Sequence, residues 1–146
     1  MSSRGFTLLE LLVVLSIAAL VVVIAVPRFH QAVPGTRLKA AALALAESMR
    51  EARSTAIREN DRSGVVLDVN SGHFAVMGTN EIQRLPNSLQ LSLVTAKSEI
   101  LSDGLAAIRF YPDGSSSGGR VTLADGERSY DVEVDWFTGK ATIRAP

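Results

Sequence analysis

The chain opens on an apolar run from Phe6 to Val26, FTLLELLVVLSIAALVVVIAV, whose polar residues are Thr7, Glu10 and Ser16. At about 1.5 Å rise per residue a helix over 6–26 is roughly 31 Å long, close to the ~30 Å hydrocarbon core of a bilayer. Its Leu, Val, Ile and Phe side chains each favour insertion by about 0.3–0.6 kcal/mol, and together they outweigh one carboxylate costing about 3 kcal/mol. The pattern therefore predicts one membrane-spanning helix over 6–26. Pro27 and Pro34-Gly35 follow. Proline removes a backbone donor and disfavours helix in the residue before it, so 27–35 is expected to hold a kink or linker. Thr36 can cap a second helix over 36–59. There Leu38, Ala41, Ala42, Leu45, Met49, Ala52 and Ala56 recur every three or four residues as one apolar stripe, the face that packs on a sheet. Lys39, Glu47, Arg50, Glu51, Arg53, Arg58 and Glu59 fall largely elsewhere and read as a solvated face whose charges offset one another.

Beyond Asn60 the period changes to two. Ser63–Val69 and His73–Gly78 flank the hairpin turn Asn70-Ser71-Gly72, and Leu89–Val94 alternates cleanly. Ala107–Tyr111 ends at Pro112-Asp113-Gly114. Arg120–Ala124, Ser129–Trp136 and Lys140–Arg144 follow, separated by Asp125-Gly126-Glu127 and Thr138-Gly139. Seven or so short strands over 63–144, joined by turns, predict antiparallel sheets. The fold class is α+β: a long N-terminal helix packed on a β-rich head, 36–146, with one domain's length to work with.

Composition mainly removes possibilities. The 146 residues contain no cysteine and two histidines, His30 and His73, which leaves no disulfide, thiolate metal site, thiol nucleophile or multi-His metal centre. Lys+Arg and Asp+Glu number 15 each, so there is no broad basic field for nucleic acid. Loop charge does not set the membrane orientation, since Arg4 on one side of the run faces Arg28, Arg37 and Lys39 on the other.

The unit Arg4-Gly5-Phe6-Thr7-Leu8-Leu9-Glu10 resembles the class III signal of type IV pilins and type II secretion pseudopilins: a short basic leader ending in Gly, then Phe-Thr-Leu-x-Glu, then an apolar helix. The stretches Phe110–Gly119 and Asp135–Lys140 resemble the C-terminal region of H-type minor pseudopilins, the GspH/FimT-like branch of that superfamily. The resemblance covers almost the whole chain and implies two sheets against the helix. It implies that residues 1–5 are a leader removed by a prepilin peptidase, with cleavage after Gly5 and N-methylation of Phe6. A glycine at the scissile position puts no side chain in the protease's way.

It also gives Glu10 a reason. A carboxylate in an apolar layer is costly unless it is paired. In the family, the acidic residue meets the freed N-terminal amine of an adjacent subunit, so Glu10 is expected to act in assembly register, not catalysis. The implied partners are the other minor pseudopilins, the major pseudopilin, the peptidase, the inner-membrane assembly platform and membrane lipid. The implied location is the bacterial inner membrane, single-pass, N-terminus cytoplasmic and head periplasmic. The implied work is to link the tip complex to the major-pseudopilin filament during export of folded proteins. The alternative is a minor type IV pilin that primes pilus assembly in motility, adhesion or DNA uptake.

No enzyme, cofactor or metal is expected. Asp113–Gly119 lacks the Gly-Lys-[Ser/Thr] ending of a phosphate cradle and reads as a turn. Asp131, Glu133 and Asp135 alternate along a strand without a wrapping loop for calcium and read as a solvated face. His73 beside a hairpin reads as a polar turn neighbour. Arg120, Lys140 and Arg144 are the candidate phosphate contacts under DNA uptake, although no nucleic acid is expected. Mass spectrometry of the mature protein should find N-methylated Phe6 at its start, and Gly5→Val should leave the leader attached. An intact Met1, or trimming near Ala25, overturns the processing expectation.

Overall fold

The computed structural model describes residues 8–29 and 34–145, with side chains for 8–18 and 36–145. Gly5 and Phe6, and residues 30–33 of the expected linker, lie outside the described residues. The chain divides into two units, Met1–Val33 and Pro34–Pro146.

In the first unit, helix α1 runs Leu8–Phe29. Leu8, Leu9, Leu11, Leu12, Val13, Val14, Leu15 and Ile17 are all exposed, so its described part is apolar on every side. Ser16 Oγ donates to Leu12 O at 2.8 Å, and its hydroxyl is thereby satisfied within the helix. Among the described residues no helix is long and apolar enough to cross a membrane; the span expected over 6–26 extends beyond the described side chains at both ends. α1 continues through Pro27, where the sequence suggested a break.

In the second unit, helix α2 spans Pro34–Glu59 and begins two residues before the expected cap Thr36. Proline suits the first turn, where its missing N–H has no helical acceptor to lose. The helix stops at Asn60, whose φ of 52° is left-handed, while Asp61 N–H donates to Ala56 O at 3.3 Å. That closure satisfies a carbonyl of the last turn, and asparagine tolerates the conformation better than most residues.

Among the described residues nine strands form two antiparallel sheets. The first has the order β3 (Ile82–Arg84), β2 (His73–Val76), β1 (Ser63–Asp68), β6 (Leu105–Phe110), β5 (Ile100–Ser102). The second runs β4 (Gln90–Thr95), β7 (Gly119–Asp125), β8 (Arg128–Val134), β9 (Ala141–Arg144). The two sheets match the expectation; β3 and β5 are additions to it. The β1–β2 hairpin closes at Asp68↔His73, with Gly72 at φ 68° in its turn and the Asp68 carboxylate accepting from the N–H groups of Asn70 and Ser71.

The predicted stripe of α2 is buried throughout, and it packs against β1, β2 and β6 of one sheet and β7, β8 and β9 of the other. Its alanines let both sheets approach the helix closely. The strands answer with Val65, Leu67, Phe74, Ile108 and Phe110 from the first sheet and Val121, Leu123, Val132 and Val134 from the second. A half-buried ion pair, Arg109 Nε to Glu99 Oε2 at 2.8 Å, holds the 3₁₀ turn Lys97–Glu99 beside β6.

Phe110 is fully buried in this core. Phe110→Ala should destabilise the head by about 3–5 kcal/mol, whereas Leu43→Ala on the exposed side of α2 should stay within about 0.5 kcal/mol. Urea denaturation followed by circular dichroism measures both.

Candidate functional site

Of the residues singled out for processing and assembly, Glu10 is within the described structure. It lies in the first turn of α1, exposed, among Leu8, Leu9, Leu11 and Leu12. A carboxylate in the first turn also complements the positive end of the helix dipole.

In the head, the two stretches that carry the family resemblance are brought together by a residue that sequence reasoning left on a solvated face. Arg53 of α2 is half-buried, and its Nε donates to Gly114 O at 2.9 Å. Gly114 sits in the turn Tyr111-Pro112-Asp113-Gly114, closed by Gly114 N–H to Tyr111 O at 2.9 Å, with φ 83°. Gly139, with φ 62°, closes the β8–β9 turn by donating to Asp135 O at 2.8 Å. A side chain on Gly139 would collide with Gly114 O and the Arg53 guanidinium. Left-handed backbone favours glycine at both positions, and at Gly139 the close approach of the Gly114 carbonyl requires it as well. Ser116 N–H donates to Trp136 O at 2.8 Å and joins the same two loops. Arg50 and Arg58 do follow the expectation: they form exposed ion pairs with Glu47 and Glu59.

Aspartates cap these turns and the β1–β2 hairpin: Asp113 and Asp135 are exposed, Asp68 half-buried. Thr138 N–H, then the Thr138 hydroxyl, hold the Asp135 carboxyl below the usual carboxylate range. The Ser115 hydroxyl and N–H do the same for Asp113, and those of Ser71 for Asp68. In each case the hydrogen bonds favour the charged form.

The acidic strand face is occupied by cations of its neighbours. Arg120 of β7 lies 3.2 Å from Glu133 Oε1 and 3.9 Å from Asp131 Oδ2, and Arg144 Nε of β9 lies 3.0 Å from Glu133 Oε2. Thr122 Oγ1 donates to Asp131 at 2.7 Å. Asp135 stands apart in its turn, and among the described residues no group of three or more potential ligands converges on a metal position. The same pairs engage two of the three candidate DNA-contacting cations, Arg120 and Arg144, with carboxylates. His73 is held in its hairpin, with Arg84 Nε donating to Nε2 at 2.7 Å and Ser71 Oγ 2.7 Å from Nδ1.

Comparison with known proteins places this geometry. A family model described as a prokaryotic N-terminal methylation motif matches residues 1–26. Another, described as type II transport protein GspH, matches residues 41–139, from the buried stripe of α2 to the glycine beneath Arg53.

The chain belongs to the GspH family.

It is 31% identical over 137 residues to the type II secretion system protein H of Xanthomonas campestris pv. campestris, covering 94% of this chain and 80% of that one. The fold resembles the minor pseudopilin EpsH of Vibrio cholerae, with a TM-score of 0.57, 12% identity, and 75% of this chain and 96% of that one covered. It also resembles the type IV minor pilin FimU of Pseudomonas aeruginosa, with a TM-score of 0.54, 13% identity, and coverage of 75% and 97%. The head is therefore pilin-like, and the GspH family is one of structural pseudopilins.

Within this GspH chain, Arg53→Ala should cost about 1–3 kcal/mol, because it strips a partner from a half-buried carbonyl, and should shift the fluorescence of Trp136, the single tryptophan. Gly139→Ala should cost at least about 1–2 kcal/mol from left-handed backbone alone. An unchanged melting temperature in both variants counts against the tie. Because the folded pKa values of Asp68, Asp113 and Asp135 are depressed, their stabilisation is present above the unfolded value of about 3.9 and is lost as pH falls through the folded values. Asp135→Asn should flatten the acid limb of stability against pH below about 4, read by urea midpoints at several pH values.

Proposed function

We propose that this protein is a minor pseudopilin of a type II secretion system, anchored in the inner membrane by 6–26 with its head, 36–146, in the periplasm. It links a tip complex of other minor pseudopilins to the growing major-pseudopilin filament while folded proteins are exported. The observation that carries this reading is the joining, in one chain, of an N-terminal methylation motif over 1–26 and a GspH head over 41–139. Residues 1–5 are the leader, and a prepilin peptidase cuts after Gly5 and methylates Phe6. The leader's loss frees an amine at Phe6. Glu10 then pairs in the apolar layer with the amine of a neighbouring subunit, and the shared burial sets the axial register. The inner-membrane platform assembles the subunits, and the head contributes packing surface, not catalysis.

The second reading, a minor type IV pilin priming pilus assembly, is supported by the likeness to FimU over nearly the whole of that chain. Genes for a secretion ATPase and secretin beside this one favour the first reading; pilus-retraction or competence genes favour the second.

Glu10→Ala should be processed normally yet incorporate poorly into filaments, with secretion falling about tenfold or more, since removing one partner of a buried pair costs about 3–5 kcal/mol. Immunoblots of sheared filaments and of culture supernatant measure this. Normal incorporation of the Ala variant sinks the pairing.

A further inference from the structure

Strands β3 and β5 end the five-stranded sheet, and β4 and β9 the four-stranded one. An open strand edge exposes backbone donors and acceptors that another chain can pair with, and proteins blunt such edges by shortness, charge or bulges. β3 has three residues and ends in Arg84. β5 has three residues and a register shift against β6. β9 has four residues and ends in Arg144. β4 carries none of these devices: Gln90–Thr95 is six residues long, uncharged, and paired in unbroken register with β7. Among the described residues no backbone group of 90–95 bonds outside that ladder.

This edge borders a groove of about 470 Å³, lined by Leu93, Val94 and Thr95 of β4, by Ile100 and Ser102 of β5, and by Asp103. Leu105 and Ala106 of β6 also line it, so the groove lies between β4 and the β5–β6 end of the other sheet. Val94 and Ile100 are 69% and 56% exposed. At the far end of β4, Thr95 Oγ1 donates to Ala107 O and Gly118 O at 3.3 Å each and pins the strand beside β6.

We propose that this groove receives an extended segment of another subunit of the assembly, added as a strand along β4. The inference rests on the assembly role proposed above. An occupant lying along a strand edge must supply N–H and C=O groups of its own; an extended chain does so, whereas a helix spends those groups internally. The segment alternates, with neutral apolar side chains toward Leu93 and Ile100 and a basic residue toward Asp103, the one charge among the lining residues.

The test uses the full-length, membrane-inserted protein with a photo-crosslinking amino acid at Val94, Ile100, Ile82 or Leu11, in cells making the whole assembly. Adducts from 94 and 100 should map by mass spectrometry to one extended, alternating segment of a partner subunit. With the probe at 100, Val94→Lys should lower adduct yield about tenfold, while Ile82→Lys on β3 leaves it unchanged; both variants should melt like the parent. Adducts from Leu11 without any from 94 and 100 overturn the groove but keep the assembly role. Adducts to a partner helix, a second copy of this chain or lipid also overturn the groove. Silence at every position, Leu11 included, overturns both.

Discussion

The head depends on one helix face serving two sheets. Leu38, Ala42, Leu45, Met49, Ala52 and Ala56 are completely buried, and the strands they meet belong to both sheets. Apolar burial at about 25 cal/mol per Å² is non-directional, so what makes this face selective is its shape. Leucine and methionine fill the depth of the core, while alanine lets backbone approach on either flank. In a chain without cysteine, this shared stripe is what joins two antiparallel sheets into a single body.

The polar counterpart is Arg53. Its carbonyl acceptor belongs to the connection that leaves the five-stranded sheet at β6 and enters the other sheet at β7, and the glycine beneath it belongs to the β8–β9 turn. The Ser116–Trp136 backbone bond repeats that link. Two turns with left-handed glycines and aspartate caps are thereby tied to the helix and to each other. On the outer face of the second sheet, Arg120, Asp131, Glu133 and Arg144 form a cross-strand charge ladder. Exposed pairs of this kind add little stability each, but they leave few charges there for a foreign ligand to recruit.

Much of this was legible in the residues. The α2 stripe, its end at Glu59 and most strands followed from periodicity, because those residues alternate between core and water; that the strands form two sheets followed from the family resemblance. β3 and β5 were not legible: Ile82–Arg84 and Ile100–Ser102 bury none of their side chains, so pairing alone defines them and no pattern marks it. Asp113-Gly114 and Thr138-Gly139 announced turns, but nothing local connects them. Arg53 stands among Glu47, Arg50, Glu51 and Arg58 and looks like one more solvated charge, yet its acceptor is 61 residues away.

By itself the sequence determined what local chemistry can determine. This includes the apolar N-terminal run with Glu10 near its start, the helical and strand periods, the glycine turns, and the lack of thiol or multi-histidine chemistry. Folding decided the pairings: which arginine meets which carbonyl, which acids are neutralised by neighbouring strands, and which strand edge stays open beside a groove. The physical reason is range. Periodicity and turn preference act over a few residues, whereas a hydrogen bond or ion pair across sheets exists only once the buried face of α2 has fixed where both sheets lie.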